Sequence, residues 1–190
     1  MKKILIYICA ILFAITSYAQ EHMTFKGISM DCDIDTFVAK LENGGLLKSD
    51  EHKYKFATLL TGLFANEDNC NIYVMYTPQS KLVHKIVVQF PRKTSWSSLK
   101  DQYNRLKIAY SVKYGEPESF EFFEHPYQEG DGKELEAVKL DKCTYSSFYN
   151  TPAGIIVIQL LKGQIVAIYE DSINFEKKQI ESASIILNDI

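Results

Sequence analysis

From Asp33 onward, apolar residues fall at Ile34, Phe37, Val38 and Leu41, the i, i+3, i+4, i+7 stripe of a helix with one buried face. Asp33 or Asp35 stands where a side-chain oxygen caps the first amides, and Gly44 and Gly45 end the pattern. The periodicity then becomes that of a strand. Three runs rich in β-branched and aromatic residues, about 54–64, 70–76 and 82–90, read as an antiparallel meander with turns at 66–69 and 77–80. In the third run Ile86, Val88 and Phe90 alternate with Lys85 and Gln89, which predicts one buried and one wetter face. His84 shares the parity of Ile86 and Val88 and is expected on their side.

Pro91 stops that strand, and Thr94 or Ser95 caps a second helix carrying Trp96, Leu99, Tyr103, Leu106 and Tyr110. Gly115 and Pro117 terminate it. A stripe so spaced is read as core packing rather than as a stacking platform. Residues 116–134 read as a long acidic connection with Phe120, Phe122, Phe123, His125 and Tyr127 embedded in it. Strands resume at about 136–149, 154–161 and 164–169, and a last helix follows at about 174–188. The fold class is α+β: an antiparallel sheet of about six strands with helices packed on one face. The order three strands then helix occurs twice, the pattern a βββα duplication would leave.

The N-terminus changes the setting. Lys2 and Lys3, an apolar stretch from Ile4 to Ile15, and the small or polar Ser17, Tyr18 and Ala19 have the order of a signal peptide over residues 1–19. Its apolar run is shorter than the roughly 20 residues of a membrane span. Cys9 lies inside the apolar stretch rather than at its end, which disfavours a lipoprotein anchor. Residues 20–190 are then one secreted domain in the periplasm or at the cell surface, with no transmembrane segment after cleavage. Cleavage removes two lysines and takes the formal charge from −3 to −5. A mildly acidic chain without clustered Lys and Arg gives no support for nucleic acid as a partner.

Export places Cys32, Cys70 and Cys143 where disulfides persist. A Cys70–Cys143 disulfide is the expected pair, since each lies at a strand edge, which leaves Cys32 as the odd thiol. Asp31, Asp33, Asp35 and Glu42 imitate a calcium loop, yet Thr36 occupies the position where that loop needs Gly, and the same residues fit the start of the first helix. Neither C-x-x-C nor H-E-x-x-H occurs, and the glycines form no phosphate-binding arrangement. No metal or other cofactor is therefore expected. Among His52, His84 and His125, His84 is the candidate base; Cys32 with His84 would make a thiol pair, though no hydrolase signature surrounds it.

The segments FKGISMDCDIDTFVAKLENGGL, LTGLFANEDNCNIYV and TSWSSLKDQYNRLKIAYSVKYGEP together resemble a family of secreted Bacteroidetes proteins of unknown function. The resemblance implies an exported domain of helices over an antiparallel sheet and brings no catalytic residues. The leading expectation is a non-catalytic binding or protein-interaction module of the cell envelope. Its partner, a protein or a small ligand, would be met through the wetter sheet face or through Phe120, Phe122, Phe123, His125 and Tyr127. A secreted hydrolase with an unrecognised site and an inhibitor of a secreted enzyme are the alternatives.

Overall fold

The computed structural model describes residues 21–50 and 54–189. The expected signal peptide and His52 lie outside the described residues. A short hairpin, β1 (Thr24–Phe25) and β2 (Ile28–Ser29), leads into α1 (Ile34–Asn43). There follow β3 (Leu47–Lys48), β4 (Ala57–Phe64), β5 (Glu67–Tyr76), β6 (Val83–Gln89) and α2 (Trp96–Tyr114). The second half comprises β7 (Glu118–Phe123), α3 (Glu134–Lys139), β8 (Cys143–Thr151), β9 (Gly154–Leu161), β10 (Gln164–Asp171) and α4 (Ser172–Asp189).

Local chemistry explains most boundaries. Asp33 Oδ1 accepts the amides of Asp35 and Thr36 at 3.0 Å each, so the acidic cluster starts a helix. Those hydrogen bonds, led by the one from Thr36, hold the Asp33 carboxyl below the usual carboxylate range. Ser95 caps α2 by accepting the Ser98 amide at 3.2 Å. The buried residues of α1 and α2 are those of the two apolar stripes, with Gln102 added on α2 and Trp96 only half-buried.

Eight strands form one antiparallel sheet in the order β3-β4-β5-β6-β10-β9-β8-β7. Two meanders, β4-β5-β6 and β8-β9-β10, meet along the β6–β10 seam, where Ile86 faces Tyr169 and Val88 faces Ala167. Each meander is followed in the chain by a long helix and flanked on its outer side by one more strand. The sheet therefore has eight strands rather than about six. The additional ones, β3 and β7, are its two edges, and β7 occupies part of the segment expected to be an acidic loop. The run expected as a strand from residue 136 is divided between α3 and β8.

The core lies on one face, where Phe37 and Leu41 of α1, Leu99 and Tyr103 of α2 and Ala137 of α3 pack with Leu60, Ile72, Val88, Ala167, Ile158 and Tyr149 from the sheet. The β1–β2 hairpin closes this layer through Phe25, stacked on Phe64 and edge-on to Tyr169. The helix α4 departs from the expectation that helices share one face. It straddles the sheet end: Asn174 donates to the carbonyls of Met30 and Val83 at 2.7 and 2.8 Å, while Phe175 lies over Lys85 on the opposite face.

The expected Cys70–Cys143 disulfide is absent, and all three described cysteines are free thiols. Cys70 is on β5 and Cys143 on β8, four strand spacings apart in the sheet. At about 4.8 Å per spacing they are separated by roughly 19 Å, far beyond the roughly 7 Å that bridged Cα atoms tolerate. Burial pushes the Cys70 thiol up to about 11 and that of Cys143 up to about 12. Cys70→Ser and Cys143→Ser are accordingly expected to destabilise independently, adding to within about 0.5 kcal/mol in the double variant. Reductant is expected to leave the urea midpoint unchanged; a reductant-sensitive midpoint would restore the disulfide.

Candidate functional site

The sheet face opposite the core carries a row of apolar side chains. Successive cross-strand pairs place Leu59, Tyr73, Val87, Ile168, Val157 and Phe148 side by side from β4 to β8. Six strands at about 4.8 Å make a stripe roughly 24 Å wide. The α1, α2 and α3 side chains that join the core all lie on its other side. Over the open face, Tyr54 meets Tyr73 edge-on with centroids 5.5 Å apart, and the first turns of α4 cover one end.

A β-bulge decides what happens at that end. Tyr76 pairs with Val83 and Met75 with Lys85, so His84 is the extra residue on β6. An inserted residue breaks the two-residue alternation, so Val83 and Ile86 both serve the core while His84 and Lys85 meet Phe175 of α4. His84 therefore does not share the face of Ile86 and Val88, as strict alternation predicted. Cys32, whose carbonyl accepts the Val83 amide at 3.2 Å, stays on the core side with its thiol toward the Ser29 carbonyl. The two members of the expected thiol pair turn to opposite faces.

Around His84 is a groove of about 330 Å³ with walls from Tyr54, Phe56, Tyr76 and Phe175 and amines from Lys55, Lys85 and Lys178. Lys85 is paired with Glu170 at 2.6 Å. Among the described residues, neither Lys55 nor Lys178 meets a carboxylate. His84 is only 5 % exposed, and its Nδ1 is buried without a hydrogen-bond partner among the described residues. Burial first, then the charges of Lys85 and Lys178, lower its pKa to about 4, so the ring is neutral near pH 7. Tyr54 and Met75 also line an adjoining apolar cleft of about 120 Å³ with Tyr73, Val87 and Gln89. On the far side of Phe175 is a groove of opposite character, lined by Glu170, Glu176 and Asn150.

The aromatic residues expected to form a binding loop are divided by the structure. Phe120 and Phe122 alternate outward on β7 and are 43 % and 48 % exposed. Phe120 lies in cross-strand line with Ser146, Gln159 and Val166, at the margin of the open face. Phe123 points to the helical side and packs edge-on against Trp96 at 5.3 Å. His125 is exposed in the following turn, and Tyr127 packs at the core margin with its hydroxyl donating to Glu136 at 3.2 Å. Sequence reasoning missed Phe175 and Lys178 because both sit on α4, about 90 residues from His84 in the chain. The bulge at His84 had no local signal.

A histidine and a carboxylate do meet elsewhere: His22 Nδ1 lies 3.1 Å from Oδ2 of the buried Asp171. That carboxylate also accepts the amides of Met23 at 2.7 Å and Asn174 at 2.8 Å, tying the hairpin to the start of α4. Among the described residues no cluster of three or more His, Cys, Asp or Glu is arranged to hold a metal, and no helix is long and apolar enough to cross a membrane. Comparison with protein-family models, with curated proteins and with solved structures finds no match to this chain.

Proposed function

We propose that this protein is an exported, non-catalytic binding module that meets its ligand on the open face of the sheet. The observation that carries the reading is the apolar row from Tyr73 to Phe148, which ends in the groove beneath α4. Leu59, Tyr73 and Val157 are buried within the row, while Val87, Ile168 and Phe148 are half-buried and leave apolar surface open between charged borders, a common mark of interaction sites. The signal-like residues 1–19 and the resemblance to secreted Bacteroidetes proteins support export to the periplasm or cell surface. The mirrored sheet order supports a duplicated three-strand-and-helix unit, with β6 and β10 as equivalent strands at the seam.

The test is retention of envelope components on the immobilised mature chain, compared with Ile168→Glu and Ile180→Glu. Ile168 stands in the middle of the stripe, whereas Ile180 is exposed on α4. The expected result is retention lost with Ile168→Glu and kept with Ile180→Glu. Equal retention by all three chains would overturn the open face as the binding surface.

The His22–Asp171 pair favours one second reading, a hydrolase in which the carboxylate orients the imidazole. It predicts ester or peptide turnover that His22→Ala abolishes while the melting temperature stays within a few degrees. Absence of turnover by the wild-type chain across both substrate classes would remove it.

A further inference from the structure

The His84 groove combines three features that a merely structural pocket does not require together. Among the described residues its buried imidazole has an unmet hydrogen bond and two amines lack a carboxylate, and an apolar cleft continues from it along the sheet. Water satisfies a buried nitrogen equally well, but the amines give the groove a sign. The Tyr73, Met75 and Val87 cleft gives it a direction. From the level of Lys85 to that of Gln89, β6 rises about 13 Å, the reach of an alkyl chain of medium length.

Resting on the binding-module reading above, we propose that this groove binds an amphiphilic anion, with its acidic headgroup at Lys55, Lys178 and His84 and its alkyl body along Met75, Tyr73 and Val87. Charge complementarity selects the head: Lys85 is already neutralised by Glu170, so among the described residues Lys55 and Lys178 supply the groove's uncompensated positive charge. The neutral imidazole contributes one donor, and an anion beside it favours uptake of a second proton. The groups facing the ring are Lys85 with Glu170 from the sheet, Lys178 from α4, and Tyr54, Lys55 and Tyr76 from the β4 and β5 side. Glu181, further along α4, is engaged by Gln79 and Ser80.

The experiment is isothermal titration of the mature protein, below micelle formation, with decyl sulfate and with decyltrimethylammonium, at pH 7 and pH 5.5. Decyl sulfate keeps its charge throughout that range, so any pH dependence belongs to the protein. The expected results are binding of decyl sulfate at least tenfold tighter than of the cation, tighter still at pH 5.5, and weakened at least tenfold by Lys178→Glu. His84→Phe is expected to abolish the pH dependence. Lys178 is on the surface of α4, so circular dichroism and melting temperature report whether its variant folds as the wild type does. Equal affinity for the two amphiphiles, or anion binding indifferent to Lys178→Glu, would overturn the proposal. Envelope retention lost with Ile168→Glu, together with no decyl sulfate binding, would overturn the ligand class and leave the binding module standing.

Discussion

Gly154→Ala is expected to destabilise the protein by about 4 kcal/mol or more, enough to prevent accumulation of folded chain. A Cβ placed on Gly154 would lie 2.0 Å from the Glu170 carbonyl oxygen and 3.1 Å from the Ser172 nitrogen. Neither is the free end of a side chain, so relief requires the backbone of β10 to move. Gly154 also has φ +148°, which L residues rarely adopt. Displacement would spread, because the adjacent Asp171 holds the amides of Met23 and Asn174, and through them the hairpin and α4. Gly163→Ala is the matched control: its φ is +81°, but nothing lies within 4 Å of the added carbon. That variant is expected to lose only about 1 kcal/mol, from backbone strain alone. Urea denaturation of both checks the difference, and a Gly154→Ala chain as stable as Gly163→Ala would mean that β9 and β10 do not approach as described.

Acid is expected to weaken the fold well above the range in which carboxylates protonate. His84 has its pKa lowered to about 4 in the folded chain, against an ordinary value of 6.5. Between those values the unfolded chain binds a proton that the folded chain rejects. Stability is therefore fully present above about pH 6.5 and falls as the pH drops toward 4, by about 2 to 3 kcal/mol in total. Asp33 and Glu181 act at lower pH: their carboxyls are held below the usual range by hydrogen bonds, so their contribution is lost only as pH falls through those depressed values. Comparison of the wild type with a His84 variant across the interval from pH 6.5 to 4.5 isolates this histidine. His84→Leu is expected to flatten the urea midpoint across it, and an unchanged slope in that variant would assign the acid sensitivity elsewhere.

The parts of the fold legible in the sequence are those where burial imposes a period. The stripe from Ile34 to Leu41 and the one from Leu99 to Tyr110 are read directly, as are the central strands, which exchange one face with the core. β7 was not legible, because an edge strand pairs on one side only and leaves Phe120, Phe122 and the intervening Glu121 exposed; Glu-Ser-Phe-Glu-Phe-Phe then has the composition of a loop. α3 is too short to display a period, and its few residues join a strand-like run. The seam of β6 with β10 joins strands about 80 residues apart and has no local signature. The candidate site failed for a related reason. The orientation of His84 depends on one inserted residue, and its neighbours Phe175 and Lys178 arrive from the end of the chain. Of the five aromatic-segment residues, Phe120 and Phe122 share the open face, paired with Ser146 and Thr144, while Phe123, His125 and Tyr127 do not.

The two borders of the sheet are unequal: β3 is two residues long, whereas β7 offers six with two exposed phenylalanines. A molecule with long pairable borders on both sides can add copies indefinitely, which is the route to fibres. Among the described residues, β7 is the longer of the two border strands. Two copies joined antiparallel through β7 would use up both of those borders and present β3 at either extremity, so growth stops at a closed pair. Pairing through β7 would thus be self-terminating, a limit on growth that does not depend on covering the strand.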